Sequence, residues 1–141
     1  MKIVDANVLL HAYSPSAPLH AEARRWLESA LSGEEAVGLP WVVILAFLRI
    51  ATNPRAVTLP LSVARACETV DQLLGYPPVR IVGPGPEHWL QVRQLLLQVG
   101  SAGNLTTDTH LAALAIEHGA TLVSYDSDFI RYDHLRWERP A

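Results

Sequence analysis

Apolar positions along the chain fall into two periods. Met1–Val4, Ala36–Leu39, Val79–Val82 and Thr121–Tyr125 are short apolar or β-branched runs of strand length. Between them the apolar spacing is helical. Leu19, Ala23, Trp26, Leu27, Ala30 and Leu31 form one such stripe after Pro18, with Glu22, Arg24, Arg25 and Glu28 mostly on other faces. Ala6–Tyr13, Pro40–Ala51, the segment from Ser62 to Leu74, and the segment around Trp89, Leu90, Leu96 and Val99 read the same way. Ser62 suits a helix N-cap, and Gly75 with Pro77-Pro78 suits a stop. Leu135-Arg136-Trp137 is a candidate edge strand. Short strands alternating with helices predict a three-layer α/β/α sandwich with a mostly parallel central sheet. No repeat, low-complexity stretch or linker divides residues 1–141, which read as a single domain.

The most informative stretch runs from Asn104 to Phe129. Thr106 and Thr107 are candidate N-cap residues, and Asp108 falls in the first turn, where a carboxylate suits unpaired N–H groups and the helix dipole. Gly119 after His118 is a helix stop. The strand that follows ends in Asp126 and Asp128, just as the first strand ends in Asp5, with Asn7 two residues on. Two strands ending in aspartate place carboxylates at the C-terminal edge of an open sheet, where α/β folds keep their binding crevices. Converging carboxylates repel unless a cation or shared protons intervene, and Mg²⁺ or Mn²⁺ prefers oxygen ligands. The pattern predicts a carboxylate-held metal site. Its plainer alternative makes Asp108 a helix-start residue and Asp126 with Asp128 a turn.

Composition narrows the partners. Half of the 141 residues are apolar and 18% are charged, with a net charge of −3 and a pI near 6.0. That argues against a module gripping nucleic acid by charge alone, but not against an enzyme reaching phosphates through bound cations. Arg49 and Arg55 bracket the end of the most apolar helix, where they serve the helix dipole or contact substrate phosphate. Cys67, the only cysteine, excludes an internal disulfide, and its neighbours Val63, Ala66, Val70 and Leu74 predict a packed core thiol. Leu39–Leu48 is apolar throughout but too short to span a bilayer, and no signal segment precedes it, so a soluble cytoplasmic protein is expected.

Other chemistries leave no mark. The six histidines show no close paired spacing and read as solvated or core residues, with His110 turned away from Asp108. Phosphoaspartate hydrolases need a second acid two positions after the first, and here Asn7 stands there. A small-molecule phosphohydrolase remains an alternative without that covalent step.

The segments IVDANVLLHAY, LPWVVILAFLRIATNPR, GNLTTDTHLAALAIEHGATLVSYDSDF and LRWERP, in this order, resemble PIN-domain proteins. More narrowly, they resemble the VapC-type ribonuclease toxins of bacterial toxin–antitoxin pairs. The resemblance implies a PIN fold and an endoribonuclease that uses Mg²⁺ or Mn²⁺ to cut single-stranded or loop RNA. It further implies a homodimer and a small VapB-type antitoxin partner, with the Leu39–Leu48 run a candidate for such surfaces. Asp5, Asp108 and Asp126 match the family's acids, Asp128 falls where some members carry a fourth, and Asn7 is a supporting residue. One departure stands out. Ala46 lies about where many PIN domains carry a glutamate, so a catalytically silent RNA- or antitoxin-binding module is a further alternative.

Overall fold

A computed structural model of the chain describes residues 1–141. The strands are β1 (Lys2–Val4), β2 (Val37–Pro40), β3 (Val79–Val82), β4 (Thr121–Val123) and β5 (Arg136–Glu138). Helices α1 (Ala6–Ala12) and α2 (His20–Ser32) separate β1 from β2, and α3 (Trp41–Ala51) and α4 (Val63–Gly75) separate β2 from β3. Between β3 and β4 lie α5 (His88–Val99) and α6 (Thr106–Glu117). A 3-10 turn, Gly103–Leu105, leads into α6, and another, Ser127–Arg131, joins β4 to β5. The sheet is wholly parallel in the order β3-β2-β1-β4-β5.

The topology follows from connection handedness. Parallel crossovers are right-handed, so the steps β1 to β2 to β3 place α1–α4 on one face of the sheet. The step from β3 back past β1 to β4 runs the other way and places α5 and α6 on the opposite face. The packing agrees, because α1 contacts α2 and α3, α3 contacts α4, and α5 contacts α6. Being covered on both faces, the central strands are apolar beyond their first residues, Lys2 and Thr121, and Ile3, Val4, Leu122 and Val123 have no exposed surface. Each such side chain contributes roughly 1.5–3 kcal/mol on burial. Gly38 sits mid-sheet, where an added Cβ would meet Ile3 Cγ1 at 3.0 Å and Val82 Cγ1 at 3.2 Å, so any larger residue there must push those side chains back by a few tenths of an ångström.

The helix ends differ from expectation in one place. Thr106 and Thr107 lie inside α6 rather than capping it, because the Gly103–Leu105 turn leads directly into the helix and Leu105 stands at the N-cap. Ser62 does cap α4, accepting the Arg65 N–H at 3.2 Å, and Gly119 closes α6 with φ of 59°. Cys67 corrects the sequence reading, since it is exposed. The buried positions of α4 are Ala66 and Leu73, with Val70 partly buried between them. Cys67 is one residue, about 100°, off that stripe. Nor is α3 buried all round, with Val43, Ile44 and Phe47 facing the core while Trp41 and Leu45 are 54% and 57% exposed. No helix is long and apolar enough to cross a membrane.

Candidate active site

Strand order reverses between β1 and β4, so the chain leaves these neighbouring strands toward opposite faces and opens a crevice beyond their C-terminal ends. Asp5 follows β1 directly, its backbone N–H donating to Val123 O of β4 at 2.9 Å. Its Oδ1 accepts the Ala6 N–H at 2.7 Å, capping α1, and its Oδ2 accepts the Ser124 hydroxyl at 2.7 Å and the Asn7 amide at 3.3 Å. Asn7 donates further to Ser124 Oγ at 3.0 Å and accepts the Tyr125 N–H on its Oδ1 at 3.1 Å. Ser124 Oγ also accepts the Asp126 N–H at 3.0 Å. The network fixes Asp5 and Asn7 relative to β4.

Asp126 caps the Ser127–Arg131 turn, its Oδ1 accepting the Asp128 N–H at 2.8 Å. The expected turn role is therefore real, and it spends one carboxylate oxygen, leaving the other without a protein partner. Asp128 is exposed at the rim, 3.4 Å from the Arg131 guanidinium. Asp108, in the first turn of α6, makes no side-chain hydrogen bond or ion pair.

Electrostatics tie these acids together. Burial pushes the Asp108 carboxyl up to about 6, with the charges of Asp126, Asp5 and Asp128 adding to the rise and Arg131 opposing it. Burial also raises Asp5, and Asp126 adds to it, while the hydrogen bonds from Ser124 and Ala6 counteract. The structure thus brings Asp5, Asp108 and Asp126 into one field, with Asp128 at its margin. No three acid, histidine or cysteine side chains already converge as a ligand cage. Arg49 and Arg55 are exposed, and neither enters an ion pair. Ala46 packs partly buried against the core, so α3 adds no acid from that position.

Several working parts escaped the sequence reading. Ser124 is wholly buried, and its hydroxyl links three groups. The one signal for it was its spacing, two residues before Asp126, as Asp5 precedes Asn7. Thr109, also wholly buried, pairs with the Tyr132 hydroxyl at 2.9 Å, binding the turn that holds Asp126 to the helix that holds Asp108. Arg131 is the cation facing Asp108 and Asp128.

Known proteins share this architecture. The PIN domain family model matches residues 2–135. "Ribonuclease VapC37" of Mycobacterium tuberculosis is 46% identical over 140 residues, covering 99% of this chain and 97% of that protein. "Ribonuclease VapC43" of the same species is 41% identical over 140 residues, covering 99% and 95%. Among solved structures, VapBC2 from Rickettsia felis bound to a DNA fragment from their promoter superposes with a TM-score of 0.72 at 17% identity, covering 98% of this chain and 97% of that one. VapC20 of Mycobacterium tuberculosis, described as a sarcin-ricin loop cleaving toxin, superposes with a TM-score of 0.70 at 15% identity, covering 96% and 99%. Matched over nearly its whole length by the family model and by relatives of this identity, the chain belongs to the PIN-domain family.

Proposed function

We propose that this protein is a VapC-type ribonuclease toxin, a single PIN domain over residues 1–141 that cuts single-stranded or loop RNA with the help of Mg²⁺ or Mn²⁺. The observation that carries the reading is Asp108: a carboxyl without a hydrogen-bond partner, pushed up to about 6 in the shared field of Asp5 and Asp126 at the sheet's switch point. Such a group is stabilised by a cation. The oxygen-only donor set of Asp5, Asp108 and Asp126, with Asp128 beside them, fits a hard divalent ion whose remaining positions water fills. When bound, the ion supplies positive charge against the scissile phosphate and eases deprotonation of water.

The chain's own groups do the positioning. Ser124 and the Ala6 N–H hold both oxygens of Asp5 in one orientation, and Asn7 is locked between Asp5 and the Tyr125 N–H. Arg131 stands at the rim, where a phosphate would displace Asp128 as its partner. Arg49 and Arg55 are proposed for more distant phosphates of the RNA. The names of the relatives support ribonuclease chemistry, and a VapB-type antitoxin and a homodimer are the partners proposed with it.

The test is cleavage of mixed-sequence RNA by the pure chain with Mg²⁺, Mn²⁺ or EDTA, beside Asp5→Asn. Metal-dependent cuts absent from the variant support the proposal. RNA left intact by a folded protein, with RNA or antitoxin still bound, favours the second reading, a silent PIN-fold binding module. Ala46 and the lack of a ready three-ligand cage are the observations behind that reading.

A further inference from the structure

Away from the acidic crevice, three side chains join α5 to α6. His88, the first residue of α5, places Nδ1 2.6 Å from Glu117 Oε2 and Nε2 2.8 Å from His110 Nδ1. The two imidazoles stand edge to face, 4.8 Å apart at 84°. His88 and Glu117 are largely shielded, their side chains 16% and 14% exposed. Glu117 and His110 are seven residues apart on one face of α6, with His88 wedged between them.

Donor bookkeeping fixes one proton. The Glu117 carboxylate only accepts, so His88 donates from Nδ1, and in the neutral ring its Nε2 keeps a lone pair facing His110. A histidine whose second ring nitrogen donates to a carboxylate is the arrangement that orients imidazole ligands on transition metals and raises their basicity. Fixing His88 by Glu117 accomplishes that before any metal arrives.

We propose that His88 Nε2 and His110 Nδ1 form a site for a borderline divalent transition metal of the Zn²⁺, Co²⁺ or Ni²⁺ class, with Glu117 as the carboxylate that positions His88. Zn–N bonds of about 2.0–2.1 Å in a tetrahedral shell set the two nitrogens about 3.3 Å apart, so the rings need to part by roughly half an ångström and to tilt until both nitrogens face the ion instead of each other. The hydrogen bond between them is lost, and the His110 proton moves from Nδ1 to Nε2, leaving the net charge of both rings unchanged. Two imidazoles do not close the shell, and water completes it. The bound ion cross-links α5 to the helix that carries Asp108, at a site separate from the carboxylates and with the opposite ligand preference.

The experiment uses the full chain without a histidine tag. Zinc is titrated against a competing chromophoric chelator, with Mg²⁺ as the contrasting ion, and the zinc-loaded wild type is examined by X-ray absorption, which counts imidazole ligands without any variant. One zinc per chain with two imidazoles is expected, unaffected by excess Mg²⁺ and retained in Asp5→Asn. His88→Gln and His110→Gln should each weaken binding more than tenfold, and Glu117→Gln about 10–100-fold. Zinc without imidazole ligands and lost in Asp5→Asn would assign it to the carboxylates and overturn the proposal. Binding unchanged in the His88→Gln, His110→Gln double variant would assign it to other histidines and overturn it equally, as would no binding at micromolar zinc.

Discussion

Ser124 Oγ lies 2.7 Å from Asp5 Oδ2, so a single buried hydroxyl ties the end of β4 to the aspartate that ends β1. The same oxygen accepts the Asp126 N–H and the Asn7 amide. In Ser124→Ala all three contacts vanish at once, and the Asp126 N–H loses its partner. Leaving such groups unsatisfied costs about 1–3 kcal/mol. Urea unfolding at pH 7 should show a loss of that size, and RNA cleavage should fall further than stability alone explains, because Asp5 is no longer held. A variant as stable and as active as the parent would contradict the geometry.

Asp108 gives a pH-dependent prediction. Its carboxyl is raised from 3.8 to about 6 in the folded chain, so the folded state holds this proton more tightly than the unfolded state. The group's favourable contribution is complete below pH 4 and disappears as pH rises through 6. Asp108→Asn should therefore raise the melting temperature of metal-free protein at pH 7, and the gap should close as pH falls toward 4. Added Mg²⁺ should stabilise the parent more than the variant. A variant less stable than the parent at pH 7 without metal would mean that neither burial nor the neighbouring carboxylates penalise a charged Asp108 in this crevice.

The Thr109–Tyr132 pair joins the two halves of the site, yet its removal should be mild. Thr109 Oγ1 also donates to Leu105 O at 2.7 Å, so Tyr132→Phe leaves no orphaned threonine hydroxyl. Stability should fall by about 1 kcal/mol or less. Hydrogen exchange should quicken in the Ser127–Arg131 turn, and cleavage should decline if that turn sets Asp126 against Asp108. Unchanged exchange in the turn would show that Phe129, itself buried, holds it alone.

What was legible in the sequence was what local chemistry encodes. Asp5 and Asp126 were visible because each closes a short apolar run, Asp5 directly after Ile3-Val4 and Asp126 three residues after Leu122-Val123, and β5 because Trp137 interrupts a polar tail. Ser124 was not, since a lone hydroxyl becomes a hub only when segments more than a hundred residues apart meet, as Asn7 and Ser124 do, and Thr109 was not, since its partner Tyr132 stands 23 residues on. His88 and His110 are likewise 22 residues apart, so no sequence spacing announces their contact. Cys67 failed differently. Its flanking apolar residues fit two overlapping stripes, and only the packing of α4 selects Ala66 and Leu73 over Val63 and Leu74.

Trp41 and Leu45 are one turn apart on α3 and point outward, although the rest of that helix builds the core. Two large apolar side chains on one exposed face are what a homodimer or antitoxin contact needs. Leu45→Glu should leave the isolated chain's stability within about 0.5 kcal/mol, because the side chain is already in water. If α3 forms the homodimer contact, light scattering at micromolar concentration should read two copies for the parent and one for Leu45→Glu. A parent that is already a single copy would remove the homodimer from this face. Loss of antitoxin binding in Leu45→Glu would then assign the face to that partner instead.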